Sequence, residues 1–262
     1  MNNAIQQVSV VNLAFYLLLF IVPFMIFRSL KIKVGRQIVV SVTRMTLQLF
    51  MVGFYLKYLF NLDSPPVNIC YLILMLIVAN FSILKQSGLC VKRLGLPVFG
   101  GIFLTICTIS LSFTIVMKAT TLMSARYLIP ITGMLMGNIL RYNIISLSRF
   151  YGELKKRENE YIQMISLGAT VSEATRPFFR EALQAGVAPQ IGGLATMGLV
   201  SLPGMMTGQI LGGSLPMTAI KYQILILTAI FTAGAISAGL TVILSRRTAF
   251  DGYKRLDHRI YL

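Results

Sequence analysis

GLVSLPGMMTGQILGG, residues 198–213, decides how this chain is read. It closes a run from Ala182 to Gly213 that contains no charged side chain. At about 1.5 Å per residue, a helical run of that length crosses the ~30 Å hydrocarbon core of a bilayer. Yet it holds Pro203 and glycines at 198, 204, 208, 212 and 213, residues that weaken a helix in water. A membrane helix tolerates them, because an unfolded backbone would leave its polar groups unsatisfied in lipid.

The rest of the chain agrees. Of its 262 residues, 56% are hydrophobic and 12% charged, whereas soluble domains average roughly 25% charged. The mean hydropathy is +0.75. Apolar stretches recur at residues 8–27, 38–60, 68–84, 96–117, 128–147, within 182–211, and at 219–245. The expected fold is all-α: one polytopic transmembrane helix bundle over residues 1–262, with about seven spans. No Ser/Pro/Gly-rich linker divides it. No basic residue precedes the first apolar run, so a cleavable signal peptide is not expected.

A net charge of +16 raises the question of nucleic acid. The charges are spread over short loops and not gathered on one face, which is how a membrane protein is oriented. Residues 28–36, 85–93, 149–180 and the tail from 246 carry 18 of the 24 Lys and Arg. Lys118 and Arg126 make two on the opposite side, and Arg44, Lys57, Arg141 and Lys221 fall inside spans. The positive-inside rule then puts the N-terminus outside, the C-terminus in the cytoplasm, and the chain in the inner (plasma) membrane as a multi-pass protein. The partners implied are a lipid bilayer and no nucleic acid.

Several chemistries are excluded. No Gly-Lys pair exists, so there is no P-loop to cradle ATP phosphates. The single histidine, His258, lies in the tail, which removes His-based metal cages and Ser-His-Asp triads. Cys70, Cys90 and Cys107 form no CxxC pair. No Asp or Glu lies within a span, so the carboxylate relays of proton- and sodium-coupled carriers are missing. The chain is not expected to be an enzyme or to hold a cofactor, and energy must come from elsewhere.

The one sizeable hydrophilic segment, 148–181, holds five of the eight acidic residues. A helix ends near Gly168, a C-terminal capping signal. Thr170 and Glu173 then form a capping-box signature for a new short helix of about two turns. Arg176 precedes Pro177, which opens the next helix. A short helix between two long ones suits a docking element, against the alternative of an ordinary solvated loop.

SLGATVSEATRPFF, from Ser166, resembles the cytoplasmic loop of ABC-transporter permeases. That loop has a Glu-Ala-Ala triplet, a glycine, and an LGAS/T-type turn. The chain keeps Leu167-Gly168-Ala169-Thr170 and departs at the triplet, where Ile162-Gln163-Met164 stands. The wider stretches GLVSLPGMMTGQILGG, PITGMLMGNIL and SVTRMTLQLFMVGFYLKYLF are similar to the FetB/YbbM-type ABC permease family. That family includes bacterial iron-export permeases and plant aluminium-tolerance permeases. The resemblance implies a permease subunit, paired as a homodimer, driven by a separate cytosolic ABC ATPase that binds the ATP. Leu167, Gly168, Ala169, Thr170 and Glu173 would form the contact with that ATPase. Metals and sugar nucleotides are both proposed substrates in the family. An ATP-independent channel or carrier, and a scaffold without transport, stand as alternatives.

Gly204, Gly208 and Gly212 share one helical face, as do Gly133 and Gly137. Such faces let helices approach closely in lipid, within the chain or between two copies. Pro203 cannot donate to the carbonyl of Leu199, so a kink or break is expected, with 202–207 as a hinge. Leu202, Pro203, Gly204, Met205 and Met206 are then candidates for a translocation path. Arg44 and Gln48 on the second span, with Met134, Asn138 and Arg141 on the fifth, are others. The arginines either snorkel to the interface or line an electropositive cavity. Met134, Met136, Met197, Met205 and Met206 either offer thioethers to a soft metal or fill packing gaps.

Overall fold

A computed structural model describes residues 9–32, 34–117 and 125–262. The first span begins where Ser9 caps α1 (Val10–Leu17), accepting from the amide of Val11. A 3-10 turn (Leu18–Phe20) joins it to α2 (Ile21–Ser29). The second span, α3 (Gly35–Leu62), stops at Asp63, which adopts the left-handed region with φ 35°. The Asp63 carboxylate accepts from the amide of Ala125 at 2.7 Å, tying this corner to the start of a later helix. Pro65 and Pro66 then open α4 (Pro65–Gln86), where a missing amide hydrogen costs nothing.

Three long helices make the centre: α5 (Val91–Met117), α6 (Ala125–Lys156) and α11 (Pro216–Ala249). α11 packs most extensively on α5 and α6, and α4 lies against both α5 and α6. Ile102, Ile139, Ala233 and Val242 are among the buried side chains between them. By contrast, α1, α2 and α3 touch the rest sparingly and expose nearly all their side chains. For a chain in lipid, such apolar faces need no protein cover.

Among the described residues six unbroken helices are long and apolar enough to span a bilayer, the first running through α1 and α2. The remaining expected span is the broken one. The stretch expected as the sixth span, with a kink or break, is divided into α9 (Arg176–Thr196) and α10 (Gly204–Leu211). The cause is local. Met197 is extended, Gly198 sits at φ +87°, and its amide bonds to the carbonyl of Ser201 at 2.9 Å instead of continuing the helix. α9 packs on α6 and α11, and α10 packs on α11, so the broken element follows α11 along its length.

The central packing depends on missing side chains and on internal hydrogen bonds. A Cβ on Gly101 would lie 2.8 Å from Thr241 Cγ2 and 3.0 Å from its backbone nitrogen. Gly234 makes a similarly close approach to the ring of Tyr142. Beside these contacts Asn143, fully buried, donates to Ser237 Oγ at 2.8 Å and accepts from Thr241 Oγ1. One turn on, Tyr151 donates to Ser245 Oγ at 2.8 Å. Hydrogen bonds between membrane helices contribute about 0.6 to 2 kcal/mol each. Asn143→Leu, which keeps the branching pattern and deletes both bonds, should therefore destabilise the bundle by about 1–2 kcal/mol. The measurement is a shifted unfolding midpoint in a detergent titration.

The basic segments meet at one end. The amide of Cys90 donates to Ile260 O at 2.7 Å, and that of Leu262 donates to Gly88 O at 3.1 Å. His258 lies 3.2 Å from Glu158. Residues 85–93, 149–180 and the tail thus share a face, as the charge bias requires. Of the two opposite-side cations, Lys118 lies outside the described residues.

Candidate functional site

The hydrophilic segment folds as an elbow. α6 runs on beyond the apolar core to Lys156, and α7 (Glu158–Ser166) turns away from it. Gly168 takes φ +95°, and its amide bonds to Ile165 O at 3.0 Å while that of Ala169 bonds to Met164 O at 3.1 Å. This left-handed stop is what the sequence signal required. α8 (Val171–Ala174) follows, with the full capping box: Glu173 N donates to Thr170 Oγ1 at 3.3 Å, and Thr170 N donates to Glu173 Oε2 at 2.8 Å. The Thr170 hydroxyl and amide hold the Glu173 carboxyl below its ordinary pKa. α8 is one turn and not the expected two, because Thr175 leaves its axis and α9 already starts at Arg176.

The elbow is fastened to the bundle on its inner side. Tyr161 is buried, donates to Lys254 O at 2.7 Å, and stacks on Phe250 with ring centroids 5.1 Å apart. Burial pushes its hydroxyl up to about 12. Arg157 bonds Glu181 at 2.8 Å and lies 4.6 Å from the Phe178 ring centroid. Ala174 and Thr175 are fully buried, and Thr175 Oγ1 accepts from Arg246 at 3.1 Å. The outer side is left free: Leu167 is 83% exposed, and Gly168, Thr170 and Glu173 also face out, with Ala169 half-buried.

One residue separates α8 from α9. The 21 residues of α9 make a rod of about 31 Å. Its far end is the break at 197–203. Pro203 does not kink a helix there; it caps α10 with ψ 138°, so Leu199 has no helical carbonyl for it to satisfy. Thr207 bonds the Pro203 carbonyl through both amide and hydroxyl, at 3.0 and 3.1 Å. Leu202 and Gly204 are exposed, while Met205 and Met206 are half-buried and Met205 packs on the core.

The intramembrane polar residues divide. On α6, Asn138 bonds back to Met134 O at 2.9 Å, and its Oδ1 meets Gln190 of α9 at 3.4 Å. Gln190 was missed in the sequence, although a polar amide inside an uncharged run was a signal in itself. Met134 packs on the core. Arg44, Gln48 and Arg141 are exposed, and neither arginine forms an ion pair among the described residues. Among those residues there is also no cluster of three His, Cys, Asp or Glu side chains that could hold a metal.

Most positions on the two glycine faces are uncovered within the chain. Gly137, Gly204 and Gly208 have nothing within 4 Å of an added Cβ, and Gly212 meets only carbonyls of its own helix. Gly133 alone faces another helix, at Met75 Cε, 3.3 Å away. The intimate approaches fall at Gly101, Gly186 and Gly234, outside those two faces.

A lipid-spanning helix bundle, one broken span and a capped elbow leading straight into it define a multi-pass helical membrane protein. The chain belongs to UPF0014, described as an uncharacterised protein family, whose model matches residues 10–250. It is 30% identical, over 94% of its length and 93% of the relative's, to the Escherichia coli (strain K12) protein named "Probable iron export permease protein FetB". "Protein ALUMINUM SENSITIVE 3" of Arabidopsis thaliana is 31% identical over 80% of this chain and 76% of that one. "UPF0014 membrane protein YjkA" of Bacillus subtilis (strain 168) is 27% identical over 94% and 97%. No solved structure matches the chain. The resemblance read from the LPGMM stretch and its neighbours is therefore borne out.

Proposed function

We propose that this chain is the membrane subunit of a two-component ABC transporter, driven by a separate cytosolic ATPase. The observation that supports it most is the elbow: a capped single turn, fastened behind, exposed in front, and joined by one residue to the rod that ends in the broken span. Closing of an ATPase dimer would push α8, and α9 would carry that displacement to residues 197–203. The elbow face is cytoplasmic in this reading, and two copies of the chain form the path, with the uncovered Gly204 and Gly208 face available at their seam. The name of the E. coli relative makes export of iron the first substrate to test. A second reading, an anionic substrate, is favoured by Arg44 and Arg141, two exposed cations within spans that make no ion pair among the described residues.

The deciding experiment reconstitutes the chain with the stand-alone ABC ATPase of its source organism. ATP hydrolysis and efflux are screened with ferrous iron, other metals and nucleotide sugars. ATP-dependent flux of one of these is expected; an inert chain that neither binds nor stimulates that ATPase overturns the proposal. Pro203→Ala tests the hinge. It restores an amide at the head of α10, so several-fold slower transport with ATPase binding intact is expected. Full transport with unchanged ATPase stimulation would remove the hinge from the account.

A further inference from the structure

The thirteen residues after α11 were no more than a basic tail in the sequence. In the structure they form a built turn. Phe250 and Leu256 form an antiparallel bridge, Asp251 N donates to Arg255 O at 2.9 Å, and Asp251 Oδ1 accepts from the amides of Tyr253 at 2.9 Å and Arg255 at 2.7 Å. Leu256 and Ile260 are buried, and the chain beyond is anchored on Gly88 and Cys90. Tyr161 of the elbow holds the turn through its bond to Lys254 O and its stacking on Phe250.

Elbow and turn enclose a cleft of about 310 Å³, lined by Val171, Ser172, Arg246, Arg247, Phe250 and Asp251. Its charge balance is positive. Asp251 spends one carboxylate oxygen on two backbone amides, and neither Arg246 nor Arg247 has an ion pair among the described residues. Arg247 is exposed. The same two segments carry two strongly exposed large apolar side chains, Leu167 at 83% and Tyr253 at 85%. Two apolar side chains beside a positive cleft are the pattern of a protein interface: anchors that lose water around a charge that selects the partner.

We propose that this cleft is the second half of the ATPase socket. It takes a carboxylate side chain of the cytosolic ATPase subunit against Arg246 and Arg247, while Leu167 and Tyr253 are covered by the same partner. The inference rests on the ATPase-driven reading above and extends it from the elbow to the end of α11. The partner then grips α9, through the elbow, and α11 at once. α9 is the first half of the broken span, and α11 is the helix that span follows. A lipid phosphate is the other anion arginines meet near a membrane. Here, however, the cleft opens between segments whose exposed side chains include Ser172, Glu173, Lys254 and Arg255, an aqueous setting.

The test uses the full chain in phosphatidylcholine nanodiscs, with the purified stand-alone ABC ATPase of the source organism as probe. Its Kd is measured for wild type, Arg247→Glu, Tyr253→Ala and Leu167→Ala. The three side chains are exposed, so unchanged melting of each variant is expected and checks the fold. Arg247→Glu and Tyr253→Ala should each weaken binding by about tenfold or more, and the wild-type Kd should rise with salt. Normal affinity for both of them, with Leu167→Ala weakened, overturns the cleft and leaves the elbow reading standing. An ATPase that does not bind wild type overturns both. An Arg247→Glu effect that appears only when phosphatidylglycerol is added assigns the arginines to lipid and overturns the cleft.

Discussion

Gly168→Val is expected to abolish co-purification of the ATPase subunit and ATP-driven transport, while the bundle itself unfolds at the wild-type midpoint. The argument is conformational. Gly168 holds φ +95°, where a β-branched residue is strained by roughly 1–2 kcal/mol or more. No atom lies within 4 Å of an added Cβ, so the strain is not a clash with the core. It is relieved by shifting the turn, which carries Leu167 and the Thr170–Glu173 capping box out of register. Glu173→Gln addresses the same turn by charge. The folded carboxyl has a depressed pKa, so its stabilising contribution is complete above its unfolded pKa and fades as pH falls through the folded one. Wild type and Glu173→Gln should therefore differ in ATPase binding at neutral pH and converge as pH drops below the usual carboxylate range. Unaltered co-purification by Gly168→Val would detach the elbow from the ATPase.

Gly101→Leu should have the largest effect on the fold. Its Cβ would meet both the side chain and the backbone nitrogen and Cα of Thr241, at 2.8, 3.0 and 3.1 Å. A side chain can rotate away; a helix backbone moves only if α5 and α11 separate. Overpacking typically costs 1–3 kcal/mol, and a rigid backbone neighbour puts this site at about 3 kcal/mol or above. Separation would also pull Thr241 from Asn143, so the loss spreads through the hydrogen-bonded seam. Little monodisperse protein should be recovered by size-exclusion chromatography in detergent. Gly152→Ala is the control, since nothing lies within 4 Å of that position, and it should behave as wild type in the same assay.

The elbow was readable because its signals are local. Gly168, the Thr170–Glu173 spacing and Pro177 each act within four residues, and the chain forms the stop, the box and the restart where those residues stand. The break near Pro203 was readable for the same reason, although the sequence put it down to proline while Gly198 turns the chain first. The small-residue faces were less informative. A GxxxG spacing says that a helix can be approached, not that anything in the same chain approaches it, and Gly204 and Gly208 are uncovered. The tail was passed over because its contacts join residues far apart in the chain, as in Tyr161 with Lys254 and Cys90 with Ile260.

By itself the sequence determined that the chain lives in a bilayer, that it is helical, which of its segments share a face, and where the elbow turns. Hydrophobic length, charge bias and capping chemistry are properties of short stretches, and they survive without knowledge of any neighbour. Only the tertiary structure decided that α5, α6 and α11 meet through Gly101, Gly234 and Asn143, that the sixth span is two helices alongside α11, and that the C-terminal turn stands beside the elbow. Those outcomes depend on which surfaces fit together, and the physical reason is that close packing and hydrogen-bond pairing in lipid are set by the shape of the partner, which no single segment encodes.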